Sequence, residues 1–319
     1  MPIVSVIIPA YNAEKTILAT LESVQKQTLS DIELIVIDDG SADRTVEITN
    51  AVQDSRVKVF SYQNSGVSVA RNRGIQQAVG DFISFIDADD SWTSDKLQLQ
   101  LKALQKNPDA GVAYSWTTFV DEKGNVLYEQ EPIFHEGNVY PQLLVENFIL
   151  NGSNVLIRRR FVEAVGEFYA PLKYAEDWEF YIRLAALCTF VLVPKHQVIY
   201  LRSSQSATSK VDVMEKDIVS HITRVFQTVP LEFQPLKNRS LANAYRYFAQ
   251  QYLSYELTNE SVVQAGQKLR EALQLEPKIL LDKSTQRLAL KLLLMWLLPH
   301  KLVANLKKLL IKPSFNTDL

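Results

Sequence analysis

The stretch Phe82-Ile83-Ser84-Phe85-Ile86-Asp87-Ala88-Asp89-Asp90 decides how this chain is read. Five mostly apolar residues run without alternation into a cluster of carboxylates. A run this apolar is a strand buried on both faces, as in a parallel sheet. Its end then emerges at the sheet's carboxyl edge, where open α/β sheets take their ligands. Asp87 and Asp89 are two positions apart, so the pleat puts them on one face, where they can share a divalent cation. Carboxylates with no nearby His or Cys suit a hard ion, Mg²⁺ or Mn²⁺. The competing reading is an acidic turn, in which Asp90-Ser91-Trp92-Thr93-Ser94 merely caps the next helix.

Working outward, the same strand-then-helix unit recurs. Ile3 to Pro9 is a short β-branched run; Asn12 then stands where it can cap a helix carrying Ile17, Leu18, Leu21 and Val24. Asp31 to Asp39 repeats the pattern, with Ser41 opening a second helix, and Val57 to Tyr62 is a third strand. Gly66 to Gly74 starts a third helix, and the helix after the acidic strand carries Leu97, Leu101 and Leu104. Such alternation with short links predicts a doubly wound, mostly parallel sheet. After Pro108 the rhythm changes. Ala110 to Val120 is a strand with a hairpin-like turn at residues 121–125, Asn154 to Ile157 a short strand, and Arg158 to Val165 a helix ended by Gly166. A further helix begins near Glu176, and Phe190–Pro194 and Val198–Tyr200 add strand material.

From Val211 onward the pattern is helical. Residues 241–255 and 262–275 form two amphipathic helices closed by Pro277. Too few repeats exist for a solenoid, so this region reads as a helical appendage. The division expected is residues 1–215 and 216–319. Leu288 to Ile311 is rich in leucine but broken by Pro299, too short to span a bilayer. Its interleaved lysines and Trp296 allow either simple burial or, over 288–312, contact with a membrane surface.

The chain has 319 residues, 47% hydrophobic and 22% charged, with a net charge of -2. Nothing in that balance favours nucleic acid as a partner. Cys188, the single cysteine, excludes an intrachain disulfide and reads as buried filler in a reducing compartment. No signal peptide precedes the first strand, so the expected location is the cytoplasm, at the membrane's cytoplasmic face if the tail binds lipid.

The first turn, Pro9-Ala10-Tyr11-Asn12, has no glycine, which removes the main support for a dinucleotide-binding fold. Acidic groups at Asp38 and Asp39, a cation at Arg71 and the Asp87-Ala88-Asp89 pair together describe a pocket for a nucleotide diphosphate. Four blocks carry a resemblance: Val6 to Asn12, Ile37-Asp38-Asp39-Gly40-Ser41, Gly66 to Gly74 and Asp87-Ala88-Asp89-Asp90. In that order they resemble the family 2 glycosyltransferases, inverting enzymes of GT-A fold that use nucleotide-sugar donors. The similarity covers roughly residues 3–209 and leaves out the helical tail.

The resemblance implies roles for individual residues. Pro9, Tyr11 and Asp39 would surround the base, with Asp39 accepting from a uracil-type imide. Arg71 would stand at the nucleotide. Asp87 would approach the ribose or the metal, and Asp89 would bind Mg²⁺ or Mn²⁺ between the diphosphate oxygens. Ala175-Glu176-Asp177-Trp178 is similar to the family's acidic-tryptophan helix, which makes Asp177 the catalytic base, with Glu176 as substitute. Helix-start charge is the alternative reading of both. Many relatives carry a metal-ligating histidine where this chain has Tyr200 to Ser206, with serine in its place; His196 nearby is assigned to packing. The implied function is transfer of a sugar from a UDP-type donor to an acceptor hydroxyl on a glycan or lipid-linked sugar, in surface polysaccharide synthesis. A catalytically inactive nucleotide-sugar-binding protein acting through its helical tail is the other reading. A nucleotidylyltransferase is disfavoured by the missing glycine-rich loop and lysine.

Overall fold

The structure is a computed structural model, described here over residues 2–202, 211–255 and 258–297. The first third alternates β1 (Val4–Ala10), α1 (Ile17–Gln25), β2 (Ile32–Asp38), α2 (Thr45–Asn50), β3 (Val57–Ser61), α3 (Val67–Gln77) and β4 (Phe82–Phe85). Next come β5 (Ser91–Trp92), α4 (Lys96–Lys106), β6 (Ala110–Val120), β7 (Val126–Glu129), α5 (Tyr140–Val145), β8 (Leu156–Arg158), α6 (Arg159–Val165), α7 (Glu176–Ala185) and β9 (Thr189–Leu201).

One sheet of nine strands results, in the order β3-β2-β1-β4-β8-β6-β9-β5, with β7 paired on β6. Strands β3, β2, β1 and β4 are mutually parallel. Every residue of β1, β2 and β4 is buried, as their mostly apolar runs predict. Alternate side chains of β1 serve opposite layers. Val4, Val6 and Ile8 join Ile17, Leu21 and Val24 of α1 and Leu97, Leu101 and Leu104 of α4 in one core. Ile7 faces the other way, against Gly74 of α3. Helices therefore cover both faces of the parallel part, and the fold is the doubly wound α/β arrangement that the GT-A resemblance implies. Beyond β4 the pairing turns mixed: β8 is antiparallel to both β4 and β6, while β9 runs parallel to β6.

Three local expectations are corrected. Asn12 does not cap α1, which starts after Thr16. Asn12 instead adopts a left-handed backbone, φ 49°; its amide donates to Ser41 Oγ at 2.9 Å and its Oδ1 accepts from Ala42 N at 2.8 Å. The buried face of α1 is Ile17, Thr20, Leu21 and Val24, spaced three and four apart, and Leu18 falls off that face and is exposed. Ser41 is likewise occupied by Asn12 rather than opening α2, whose first turn is held by Asp43 accepting from the backbone and hydroxyl of Thr45. The two predicted strand pieces at 190–200 are one strand, β9. A register shift between Tyr114↔Leu192 and Trp116↔His196 absorbs Pro194 without ending the ladder.

The chain divides into two compact units: Met1–Leu143 with Ile149–Ser203, and Leu144–Phe148 with Ser204–Leu319. The second holds α8 (Val211–Val225), α9 (Lys237–Tyr255), α10 (Asn259–Leu275) and α11 (Lys283–Leu297). The two predicted amphipathic helices lie within α9 and α10, and Thr258 and Ser261 form a reciprocal cap at the start of α10. Ala249, Leu253, Ala265, Leu269, Leu288, Leu292 and Met295 make the core of this unit. No described helix is long and apolar enough to cross a membrane.

Two glycines test the packing in opposite directions. A Cβ on Gly74 would meet Ile7 Cγ2 at 2.3 Å, whereas one on Gly266, inside α10, would meet nothing within 4 Å. Gly74→Ala should cost roughly 1–3 kcal/mol by overpacking, and Gly266→Ala should gain about 0.5–1 kcal/mol. Denaturant unfolding of the two variants measures both.

Candidate active site

Since β2, β1 and β4 are parallel neighbours, their carboxyl ends share one edge. Asp38 ends β2, and Tyr11, Asp39, Asp87 and Asp89 follow those ends, as the strand pattern predicts. Two groups form there, and α3 links them.

In the first group, Asp39 is buried and accepts from Ser65 N at 3.0 Å, Gly66 N at 2.7 Å and Arg73 Nη1 at 3.1 Å. It thereby fixes the loop that starts α3, where Gly66 has φ 90°, a region few residues other than glycine adopt. Arg73 also lies over the Tyr62 ring. Pro9 is buried in β1 and Tyr11 is 56% exposed, an aromatic face presented to solvent at the same edge.

The second group is built on Arg71, whose side chain is 2% exposed. Nη2 donates to Asp87 Oδ1 and Nη1 to Glu176 Oε1, both at 2.7 Å. The guanidinium also lies over Phe168, 5.4 Å from the ring centroid. Phe168 in turn stacks on Phe180, with Phe85 edge-on to it. The neighbour of Arg71, Asn72, exchanges two hydrogen bonds with the Phe168 backbone, at 2.8 and 3.0 Å. A residue on α3 thus joins the end of β4 to the start of α7, across 105 positions of sequence. Burial alone would lower the Arg71 pKa, but Asp87, Glu176 and Asp177 outweigh it and raise it, so the group stays charged. Gly152 makes room for this: a Cβ there would come within 2.5 Å of Arg71 Nη2.

Asp177 sits beside Glu176 in the first turn of α7 and accepts from Trp178 N at 2.6 Å. Burial pushes its carboxyl up to about 7, reinforced by Glu176 and opposed by Arg71. The preceding residue, Ala175, has φ 61°, a left-handed conformation unusual for alanine, at the entry to this turn. Asp89 is exposed at the rim, yet the protein around its carboxyl and then the neighbouring Asp87 push it up to about 6.

Asp90 does not cap a helix. It is wholly buried, accepting from Ser153 Oγ at 2.5 Å and from Leu201 N at 3.2 Å. Ser153 Oγ also accepts from Asp87 N at 2.9 Å, so one hydroxyl sets the strand end and its acidic neighbour together. Ser91–Trp92 pairs with β9 instead of turning into α4, and the Trp92 indole donates to Ser153 O at 2.7 Å. Sequence reasoning missed Ser153, Gly152 and the Glu176–Arg71 pair. Their signal was the small polar triplet Asn151-Gly152-Ser153 before an apolar strand, which is also how an ordinary turn looks.

A divalent cation suits this arrangement. Asp87 and Asp89 are oxygen donors, Asp87 Oδ2 has no protein partner among the described residues, and the charge repulsion raising Asp89 is what a cation would relieve. No group of three His, Cys, Asp or Glu among the described residues could hold a metal unaided. The two aspartates would therefore share it with a ligand's phosphates or water. The serine segment where a histidine ligand was expected lies largely outside the described residues. His196 hydrogen-bonds Gln130 O at 2.9 Å and packs on Trp116, and Cys188 is pushed up to about 12 by burial, an unreactive thiol.

The raised value of Asp177 has a sign that can be checked. A folded-state pKa above that of a free aspartate means the folded chain binds more protons between about pH 4 and about 7. Stability associated with Asp177 is then present below that window and lost as pH rises through about 7. Asp177→Asn removes the charge, so the variant should melt above the wild type at pH 8, and the gap should close towards pH 5. Thermal unfolding across that range measures it.

Comparison with known proteins agrees with this geometry. The sequence model of the family described as "Glycosyltransferase like family 2" matches residues 5–251. A glycosyltransferase of Haemophilus influenzae is 41% identical over 130 residues, 40% of this chain and 52% of that protein. An Escherichia coli protein named UDP-Glc:alpha-D-GlcNAc-diphosphoundecaprenol beta-1,3-glucosyltransferase is 43% identical over 106 residues, 33% of this chain and 42% of the relative. The matched stretches span about half or less of these curated relatives. Among solved structures, a Pyrobaculum calidifontis mannosyltransferase in complex with GDP-Man and Mn²⁺ has a TM-score of 0.60 at 18% identity, covering 98% of this chain and 85% of that one. TarS of S. aureus in complex with UDP-GlcNAc has a TM-score of 0.56 at 20% identity, covering 87% and 91%. Those two likenesses establish the fold. The family match extends over more than half of the chain, which belongs to the glycosyltransferase-like family 2.

Proposed function

We propose that this protein transfers a sugar from a nucleotide-diphosphate donor, UDP-linked, to an acceptor hydroxyl with inversion at the anomeric carbon. The observation that carries the reading is the Arg71 clamp, which holds the acidic end of β4 and the acidic start of α7 in one cluster. Donor and acceptor chemistry need those two poles side by side. The E. coli relative named for UDP-Glc and a diphosphoundecaprenol-linked sugar supports the UDP donor and a lipid-linked or glycan acceptor.

Asp177 is the proposed base. Its carboxylate takes the acceptor's proton as the acceptor oxygen forms a bond to the anomeric carbon. The bond to the diphosphate breaks on the opposite side, and its electron pair leaves with the diphosphate. A pKa near 7 suits a general base, basic enough to accept the proton and still about half ionised at neutral pH. Asp87 and Asp89 would hold Mg²⁺ or Mn²⁺, which supplies positive charge for the departing diphosphate. Tyr11, Pro9 and Asp39 form the base side of the donor site. Arg71 acts mainly by orientation, since each terminal nitrogen is already committed to a carboxylate.

Asp177→Asn should lower transfer or donor hydrolysis by roughly a hundred- to ten-thousand-fold, with nucleotide-sugar binding nearly unchanged. The wild-type kcat/KM should fall as pH drops below about 7, and this limb should vanish from the residual rate of the variant. A near-normal rate would move the base role to Glu176. Asp89→Ala, or excess chelator, should abolish turnover with the fold intact; full activity in chelator would remove the metal from the scheme. Donor binding without turnover against a panel of sugar acceptors would favour the binding-only reading.

A further inference from the structure

Helix α11 has two apolar faces, and only one is used. Ser284, Thr285, Leu288, Leu292 and Met295 turn inward and pack on α9 and α10. On the rest of the helix Leu290, Leu293, Trp296 and Leu297 are 57%, 50%, 80% and 62% exposed. Leu280 and Leu281, in the turn just before it, are exposed as well. Scattered surface leucines are ordinary, but a run of this kind on one short helix signals a contact.

Charge says with what. Lys283, Arg287 and Lys291 recur every four residues, so they form a row along one side of α11, beside the exposed leucines. The helix has no acidic residue. Over residues 283–312 the sequence carries seven Lys or Arg and no Asp or Glu, in a chain whose net charge is -2. Within α11 itself three cations and no acid accompany the exposed apolar side chains. A protein core asks for one of these properties; an anionic lipid surface asks for both, apolar side chains at the acyl boundary and cations at the head groups. Tryptophan is at home at that boundary.

We propose that α11 is a peripheral membrane-binding surface for anionic phospholipid, with Leu290, Leu293, Trp296 and Leu297 entering the interface and Lys283 and Arg287 pairing with head groups. The inference stands on the helical unit alone and does not depend on the catalytic reading.

The test is flotation of the full chain with vesicles of phosphatidylcholine alone and of phosphatidylcholine containing phosphatidylglycerol. Wild type should float with the anionic vesicles only, and less as salt shortens the Debye length. Lys283→Gln with Arg287→Gln should weaken binding roughly tenfold or more. Leu293→Gln with Trp296→Ser should abolish it at every lipid composition. Both pairs change exposed side chains, so melting temperature and the circular-dichroism spectrum should match wild type and exclude misfolding. Failure of wild type to float, or flotation unaffected by both variants, would overturn the proposal. So would light scattering that shows a wild-type dimer turned monomeric by the Leu293/Trp296 pair, since a second copy would then cover the face.

Discussion

A buried arginine facing more carboxylates than it can neutralise is the constraint on which the site depends. Arg71 cannot lose its proton, and taking it out of water costs several kcal/mol unless its donors are met. Asp87 and Glu176 meet two of them at 2.7 Å. With Asp177 and Asp89 nearby, the cluster remains negative overall. Burial first, and then the neighbouring carboxylates, raise Asp177 and Asp89, with Arg71 opposing the rise at Asp177. One side chain on α3 thus brings the two acidic segments together.

The surrounding backbone is organised to hold that cluster still. Among the described residues only Asn12, Leu150 and Ala175 are non-glycine positions with positive φ. Each belongs to a segment that borders the site: the turn after β1, the loop before Ser153, and the start of α7. Such conformations cost of order 1–3 kcal/mol each and persist only where neighbours enforce them. Here the enforcement is visible. Asn12 is tied to Ser41 and Ala42, the Leu150 segment to Tyr181, whose hydroxyl donates to Asn151 O, and Ala175 to Glu179 through its carbonyl. Ser153 and Asp90 add a buried pair beneath the strand end.

Much of this was legible in the residues. Mostly apolar runs gave away β1, β2 and β4, because strands buried on both faces need no alternation. Asp87, Asp89, Arg71 and Asp177 stand out by type and place. Their mutual contact was not legible, since a pairing 105 positions apart leaves no local pattern. The helix starts expected at Asn12 and Ser41 failed for a related reason. Both residues have the chemistry of a cap, but tertiary hydrogen bonds between two loops took them first. Pro194 within β9 misled in the opposite direction, because a register shift let the strand continue past it.

The claim that one arginine couples the two acidic poles is tested most directly by a double-mutant cycle on unfolding free energy. Asp87→Asn and Glu176→Gln are made singly and together and unfolded in denaturant at one pH. Either single variant leaves Arg71 one charged partner, whereas the double variant leaves both nitrogens facing neutral amides. The double variant should therefore lose more than the sum of the singles, by at least about 0.5 kcal/mol. Additivity within about 0.3 kcal/mol would mean that the two carboxylates act independently and that Arg71 does not join them.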